Sequence, residues 1–296
     1  MSSKQFFVNR YQKLGWNYNE IQLKRAIRIN TMNASRDTVV SRLESLGVKL
    51  EKIPFLENGY WISKSKFSVG ATAEYLLGLY SIQETAAQIP ATLFTDLKDK
   101  TVLDACASPG GKTVQLASLM NNSGIIVALE LKERKMFALA NQLERSRVTN
   151  TAVYNMDAKE ASKLNMKFDC VLLDVPCSGN SITDRDWFNK RTIEDVHKNS
   201  RRQRQILTEA VKITKDGGEI VYATCSMEPE ENELNINWAL EALNVNVERI
   251  KCHGENGLTN VFDKELDSSL KNCKRIWPDQ TQGFFVCKLK KQEESQ

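Results

Sequence analysis

Long apolar stretches are missing from this sequence of 296 residues. It holds no run of about 18 apolar residues, the length that a membrane-spanning helix requires. Its first ten residues, MSSKQFFVNR, also lack the apolar stretch of a secretory signal. Because 41% of the residues are hydrophobic, the chain can still bury a core. We therefore expect a globular cytoplasmic protein, a monomer, that contacts no membrane.

The sequence is also poor in the patterns that bind metals or form disulfides. Its seven cysteines are an odd number, and no two of them form a C-x-x-C pair. Only two histidines are present, His197 and His253. These residues give no recognisable zinc constellation and no disulfide framework, and they fit a reducing compartment. We expect a protein without a metal.

Positive charge is concentrated at the front of the chain. The net charge is +4 overall, but residues 1–70 carry a net +7 and the remainder a net −3. A basic face commonly marks a polyanionic partner, because binding to phosphates releases counterions. A solvated surface without a partner explains the charge equally well. Charge alone leaves both interpretations open.

The front of the chain predicts a small α+β module. The segments IRINTM, VKLEKI and GYWIS have the composition of strands. SRDTVVSRLESLG predicts a helix with Ser35 or Asp37 as its N-cap and Gly47 at its end. We assign residues 1–70 to this module. Residues 71–98, which include ATAEYLLGLYSIQETAAQ, are predicted to form a helical bridge.

Residues 99–292 alternate apolar strands with amphipathic helices. The predicted strands are TVLDACA, IIVALEL, TAVYNMDA, FDCVLLDVP and GEIVYATCS, and segments such as ERKMFALANQLERS lie between them. This alternation predicts a parallel, doubly wound α/β sheet of the Rossmann-like type. VNVERI and GFFVCKLK follow as a sixth and a seventh strand, which we expect to form an antiparallel pair at the edge of the sheet.

Polar or nucleophilic residues follow five successive predicted strands. In such sheets, ligands bind where the carboxyl ends of the strands meet. Each residue taken singly has an ordinary structural explanation, but five strands in succession point to one site. The predicted rim consists of Asp104, Cys106, Glu130, Asp157, Asp174, Cys177, Thr224 and Cys225.

Two of these carboxylates suit a nucleoside. Glu130 lies about 20 residues beyond the Gly110–Gly111 turn, where nucleoside-binding folds place the acid that binds a ribose. Asp157 can accept a hydrogen bond from an adenine amino group. The segment CASPGGKT itself resembles a phosphate-binding loop of an NTPase, but Cys106 stands where that loop needs a glycine. An NTPase therefore remains only an alternative.

Two cysteines and an aspartate together suit one kind of chemistry. C5 of cytosine is a weak nucleophile, and a thiolate that adds to the neighbouring ring carbon activates it towards a methyl donor. A carboxyl group such as Asp174 can hold the ring through N3 and the amino group. A second thiol or a water can then help to remove the C5 proton.

Several motifs resemble those of the NOL1/Sun-type RNA cytosine-5 methyltransferases. DACASPGGKT is similar to the methyl-donor loop of that family, DVPCSG to its DAPCSG motif, and YATCSMEPEENE to its TCS…EEN block. RINTM, YSIQETAA and RIWPDQTQGFF are similar to further family segments in the same order. The resemblance implies a class I S-adenosylmethionine-dependent methyltransferase fold with a seven-stranded, mostly parallel sheet.

The resemblance also implies roles for individual residues. Cys225 resembles the nucleophile, Cys177 the helper in product release, and Asp174 the residue that reads the cytosine edge. Lys112 would point towards the target base. The residues implied for S-adenosylmethionine are Cys106, Ala107, Ser108, Pro109, Gly110, Gly111, Lys112, Glu130, Arg134, Asp157 and Asp174.

The RNA partner is the last expectation. The resemblance implies that residues 1–70 are an RRM-like module that binds RNA. The basic stretch KNSRRQRQ, rimmed by Trp187 and Phe188, is either a second RNA contact or an exposed helix face. A compact chain without an appended RNA-binding domain favours tRNA as the substrate, with rRNA as the alternative. A non-catalytic RNA-binding protein with this fold is less favoured, because both cysteines and Asp174 are present.

Overall fold

A computed structural model describes residues 2–293 as two larger sheets and a two-stranded sheet of Asn260–Val261 and Lys264–Glu265, with helices packed around them. The strands are β1 (Ala26–Ile29), β2 (Lys49–Lys52), β3 (Gly59–Lys64), β4 (Tyr80–Ile82), β5 (Thr101–Asp104), β6 (Ile125–Glu130), β7 (Thr151–Asn155), β8 (Phe168–Asp174), β9 (Thr214–Thr224), β10 (Val245–Glu248), β11 (Glu255–Asn256), β12 (Asn260–Val261), β13 (Lys264–Glu265), β14 (Lys274–Ile276) and β15 (Phe284–Lys291).

Helices connect these strands. The α-helices are α1 (Ser3–Lys13), α2 (Arg36–Ser45), α3 (Ala73–Leu76), α4 (Gly111–Met120), α5 (Glu133–Arg145), α6 (Trp187–Lys190), α7 (Ile193–Ile213) and α8 (Glu233–Ala242). Short 3₁₀ helices cover Val69–Ala71, Ala86–Gln88, Pro90–Leu93, Ala158–Leu164 and Ser268–Asn272. None of the helices within residues 2–293 combines the length and the apolar character needed to cross a bilayer.

The front sheet has the order β2-β3-β1-β4, with antiparallel neighbours. Ser35 caps α2 as expected, since its side chain accepts a hydrogen bond from the Thr38 N–H. The helical bridge predicted over residues 71–98 is wrong at Tyr80–Ile82, because these residues form strand β4. Only α3 is α-helical there, and the next residues turn at Gly78 and pair with β1. Residues beyond 70 therefore contribute a strand to the front sheet.

The large sheet has the order β11-β14-β15-β9-β8-β5-β6-β7, with β10 paired to β15. Strands β5 to β9 are parallel to one another, as the alternating pattern predicted. β10 and β15 are antiparallel, also as predicted. They do not simply form the edge, because β15 also pairs with β9 and β14. β14 and β11 extend the sheet beyond the seven expected strands.

Alternate residues of the central strands face two separate hydrophobic layers. Leu103 and Val171 point into one layer, whereas Val102 and Leu172 point into the other, and all four are fully buried. A strand buried on both faces must be apolar at nearly every position, which is why these segments read as continuous apolar runs. The layers hold the strand ends rigidly at one edge of the sheet.

The front module is fastened to the large sheet through backbone carbonyls. The side-chain amides of Asn30 and Asn33 each donate hydrogen bonds to the carbonyl oxygens of Gly78 and Ser146. Arg28, itself buried, donates from Nη2 to the Gly111 carbonyl at 3.0 Å. The RINTM segment of the sequence thus connects the two parts through hydrogen bonds.

Gly78→Ala should weaken this connection strongly. Gly78 has φ +68°, and an added Cβ would lie 2.0 Å from the Arg145 carbonyl oxygen. We expect the free energy of unfolding, measured with urea, to fall by more than about 2 kcal/mol, because the backbone at Arg145 must move to admit the added atom. Gly47→Ala is the matched control, because its φ is +84° but nothing lies within 4 Å of the added atom. Equal losses for the two variants would contradict the steric explanation.

Candidate active site

The ends of four parallel strands line one pocket. Its residues follow β5, β6, β7 and β8, and α5 and α7 close its sides. Four of the eight rim residues predicted from the sequence line this pocket, namely Cys106, Glu130, Asp157 and Asp174. The lining residues are Ala105, Cys106, Ser108, Glu130, Leu131, Lys132, Lys135, Met156, Asp157, Ala158, Asp174, Pro176, Arg202 and Ile206.

The glycine turn leads from β5 into α4. Gly110 has φ +103° and is the N-cap of α4, and an added Cβ would meet the Gln142 and Leu139 side chains at 3.1 Å. A larger residue is therefore excluded by both conformation and space. The turn is also anchored to β6, because the Ala107 N–H donates to the Leu129 carbonyl at 2.9 Å.

Of the residues expected to bind the donor, Ala107, Pro109, Gly110, Gly111 and Lys112 belong to the turn beside the pocket and do not line it, and Arg134 lies outside that turn, on α5. Arg134 is exposed, whereas Lys135, one position later, lines the pocket. The sequence analysis missed Lys132, Lys135 and Met156, all of which adjoin predicted strand ends. It also missed the role of Arg202, although the basic stretch containing it had been noted.

A lysine and an aspartate pair beside the pocket. Lys112 Nζ donates to Asp174 Oδ2 at 2.6 Å. Burial on its own would lower the pKa of Lys112, but the attraction and hydrogen bond of Asp174 outweigh it and raise that pKa. Lys112 is therefore a fixed positive charge at neutral pH. Cys225 is close enough to contribute to the same shift.

Two thiols meet next to this ion pair. Cys177 follows β8 and Cys225 follows β9, and their Sγ atoms are 3.2 Å apart. The hydrogen bond with Cys225, followed by burial, raises the pKa of the Cys177 thiol well above its ordinary value. Cys177 therefore stays a neutral thiol near pH 7 and can donate a hydrogen bond to the sulfur of Cys225.

A buried carboxylate holds the two cysteine loops together. Glu231 accepts hydrogen bonds from the Ser178 N–H, the Ser226 hydroxyl and the Gln203 amide, at 3.0, 3.1 and 2.6 Å. Each serine directly follows one of the two cysteines, and their hydroxyls are 3.0 Å apart. Burial raises the pKa of Glu231. The EEN block of the sequence thus fixes the spacing of the thiols.

Two asparagines complete the support of the loop that carries Cys225. Asn180 donates from Nδ2 to the Cys225 carbonyl at 2.8 Å. Asn232 donates to the Ser226 carbonyl and accepts from the Thr224 hydroxyl, at 2.9 and 2.5 Å. The backbone on both sides of Cys225 is therefore held by Asn232 of the EEN block and by Asn180, which directly follows the DVPCSG motif.

Helix α1, which the sequence analysis did not predict, reaches the same loop. Arg10 Nη2 contacts Glu228 Oε2 at 3.1 Å and Glu230 Oε1 at 2.6 Å. Burial raises the pKa of Glu228 to about 7, against the opposing effect of Arg10. The front of the chain therefore braces the loop that follows Cys225.

The surface expected around KNSRRQRQ differs from the prediction. Trp187 and Phe188 do not rim an exposed patch, because both are buried in a cluster with side chains of α1. The basic residues also have separate environments. Arg201 is exposed, Arg202 lines the pocket, and Arg204 donates to a side-chain oxygen of α8. Sequence neighbours on a helix point in different directions, so the stretch is not one surface.

Comparison with protein families matches residues 91–290 to 16S rRNA methyltransferase RsmB/F. The chain belongs to this family. Residues 3–85 match the N-terminal domain of 16S rRNA methyltransferase RsmF. These matches confirm the resemblance to NOL1/Sun-type methyltransferases that was inferred from the sequence motifs.

Individual relatives are substantially longer than this chain. The Ribosomal RNA small subunit methyltransferase F of Aeromonas hydrophila subsp. hydrophila is 35% identical over 281 residues, which cover 91% of this chain and 58% of that protein. The human 28S rRNA (cytosine(4447)-C(5))-methyltransferase is 32% identical over 283 residues, which cover 92% of this chain and 35% of that protein. The chain thus spans about half or less of these curated relatives.

Solved structures share the fold. A methyltransferase homolog protein from Pyrococcus horikoshii is 36% identical and superposes with a TM-score of 0.85, covering 92% of this chain and 87% of that one. NSun6 from Pyrococcus horikoshii with SFG superposes with a TM-score of 0.83 over 99% and 98% of the chains, but its 20% identity supports the fold alone. The expected class I methyltransferase fold and the family's cofactor, S-adenosylmethionine, are confirmed.

Mild oxidation should test the spacing of the two thiols. Diamide, which takes up the two thiol hydrogens, should join Cys177 to Cys225, because sulfurs 3.2 Å apart need to approach by only about 1 Å. Peptide mass mapping would identify the linked pair and thiol titration the loss of two thiols. Cys252→Ser should leave this product unchanged, whereas Cys177→Ser should abolish it. Linkage of either cysteine to a different partner would contradict the geometry.

Proposed function

We propose that this protein methylates C5 of a cytosine in ribosomal RNA, with S-adenosylmethionine as the methyl donor and Cys225 as the nucleophile. The observation that carries the proposal is the pair of thiols 3.2 Å apart beside the ion pair of Lys112 and Asp174. Direct methyl transfer to an amine or a hydroxyl does not need a second thiol at that distance. A reaction that forms a covalent adduct between the enzyme and its substrate does need a group that helps to release the product.

The pocket offers the groups that S-adenosylmethionine needs. In this proposal Glu130 accepts hydrogen bonds from the ribose hydroxyls and Asp157 from the adenine amino group. The apolar side chains of Leu131, Met156 and Ile206 provide surfaces for the flat adenine ring. The turn from Cys106 to Lys112 holds the other end of the donor, near Asp174. The bound donor supplies an electrophilic methyl group.

The residues of this chain activate the cytosine. The Cys225 thiolate adds to C6 of the ring, and C5, now electron-rich, takes the methyl group. Asp174 accepts a hydrogen bond from the exocyclic amino group. The ion pair of Asp174 and Lys112 also supplies a proton to the ring nitrogen N3, which stabilises the adduct. A water, or Cys177 as its own proton passes to the departing sulfur of Cys225, then removes the C5 proton, and the N3 proton returns to the pair of Lys112 and Asp174. The electrons of the C5–H bond restore the C5–C6 double bond and expel Cys225, as a thiolate in the water route and as a thiol in the Cys177 route.

Charges in the site divide the roles of the cysteines. The fixed positive charge of Lys112 lies close to Cys225. The raised pKa of Cys177 keeps that residue a neutral thiol, which can pass its proton to the departing sulfur of Cys225. The same protein surface thus provides a nucleophile and a proton-transfer group of the same residue type, distinguished by environment.

Ribosomal RNA fits the relatives better than the tRNA expected from the sequence. The curated relatives described above are named as methyltransferases of small-subunit or 28S rRNA, and both family matches name 16S rRNA. The tRNA expectation depended on the compactness of the chain, which spans only part of those relatives. The rRNA alternative is therefore the one we propose.

Replacement of each cysteine should have a different effect. Cys225→Ala should lower the rate of methyl transfer at least about a thousandfold, because no covalent activation occurs, and should leave donor binding unchanged. Cys177→Ala should instead accumulate a covalent protein–RNA adduct that survives a denaturing gel. The double variant is the control and should give no adduct. Turnover by Cys225→Ala at the normal rate would remove this residue from the mechanism.

The RNA class can be read from cells with and without the gene. Bisulfite sequencing should show 5-methylcytosine missing from one ribosomal RNA when the gene is deleted, and restored by the wild-type gene. A gene carrying Cys225→Ala is the matched control and should not restore it. If 5-methylcytosine is lost from tRNA while ribosomal RNA is unchanged, the rRNA assignment is wrong and tRNA is the substrate.

A further inference from the structure

A groove lined with positive charge lies at the junction of the front module and the large sheet. It has a volume of about 550 Å³, and its ten lining residues include Arg249, Lys251, Lys271 and Lys274. None of these lining residues is an aspartate or a glutamate. We call it the basic groove. It is separate from the pocket at the strand ends, with which it shares no lining residue.

The four cations of the basic groove lack ion-pair partners among residues 2–293. Lys274 is held in place by a neutral group, since its Nζ donates to Asn256 Oδ1 at 3.0 Å. Like charges gathered without acids repel one another, and a bound anion relieves that repulsion. The groove therefore has the electrostatics of an anion site.

Five of the twelve Lys and Arg residues at positions 1–70 form ion pairs within residues 2–293. Lys4, Lys24, Arg36 and Arg42 each lie within 4 Å of a carboxylate, and Arg10 contacts two. The other seven have no such contact within that described range, so unpaired cations are not confined to the basic groove. The groove differs because four cations line one concave surface without a lining acid, in a region whose net charge of −3 gave no sign of it.

Both parts of the protein form the wall of the basic groove. Phe55, from the loop between β2 and β3, stacks on the ring of His253 with centroids 4.1 Å apart and planes at 8°. Both residues line the groove. The stack fixes the front module against the loop that carries Lys251. A ligand in the groove would contact a surface that exists only when the two parts are docked.

The groove adjoins the strands that carry the thiols. Arg275 of β14 pairs with Phe285 of β15, which pairs with Thr224 of β9, the residue before Cys225. Two strand spacings amount to roughly 10 Å. Lys274 thus lies on a strand roughly 10 Å from the backbone of the residue before Cys225.

We propose that the basic groove binds the phosphate backbone of the RNA beside the target cytosine. This inference rests on the proposed function, since it takes the RNA to be the substrate. The number of cations and their spread over an open groove suit an extended polyanion. RNA held there would be fixed to both parts of the protein while one base enters the site.

Binding measurements at several salt concentrations test the proposal. The probe is a small-subunit ribosomal RNA transcribed in vitro, and the protein is the full chain. Lys251→Gln/Lys271→Gln should reduce the slope of log K against log salt by about 1.4 to 1.8, since each phosphate contact contributes about 0.7 to 0.9. Lys251→Glu/Lys271→Glu should weaken binding at least about tenfold. Circular dichroism would check that each variant is folded.

The matched controls are Lys98→Gln/Lys264→Gln and Lys98→Glu/Lys264→Glu, which make the same changes of net charge at exposed positions outside the groove. Groove variants that bind as these controls do would overturn the proposal. The affinity for S-adenosylmethionine should not change in any variant. Methyl incorporation by the wild type is measured in parallel. If RNA binding depends on the groove but no RNA is methylated, the proposed function fails and the groove assignment stands.

Discussion

The buried carboxylate of Glu231 is the interaction on which the arrangement of the site depends. It joins the loops after β8 and β9 by accepting hydrogen bonds from the residues that follow the two cysteines. A carboxylate removed from water is unfavourable, as its raised pKa shows, and it is tolerated because three donors surround it. The Asn180 side chain and the contact between the Ser178 and Ser226 hydroxyls reinforce this link between the two loops.

The front module is tied to the same region by charge and by hydrogen bonds. Arg10 contacts two glutamates of the loop after Cys225, and Arg28 reaches the carbonyl of Gly111 at the start of α4. These two side chains point inwards, whereas most of the twelve cations of residues 1–70 have other surroundings. Through Arg10 and Arg28 the module braces both the loop after Cys225 and the glycine turn. The four cations of the basic groove lie where the module meets the large sheet.

Much of the fold could be predicted because its signals are local. Apolar runs bounded by polar residues identified the five parallel strands, and Ser35 marked the start of α2. β4 was taken for helix, since three residues among helix-forming neighbours give no strand signal, and pairing with β1 decides its state. Helix α1 and the burial of Trp187 and Phe188 were missed together, because each depends on packing against the other.

The sequence by itself determined which chemical groups stand at the strand ends, because the position of a residue relative to the end of its strand is a property of the local chain. It therefore identified both cysteines, Asp174, Lys112 and the glycine turn. Only the tertiary structure decided that thiols 48 positions apart in the chain are 3.2 Å apart, and that Lys112 pairs with Asp174. It also decided which cations are paired and which line the basic groove. Contacts between distant segments follow from packing and burial, which a linear pattern of residue types does not contain.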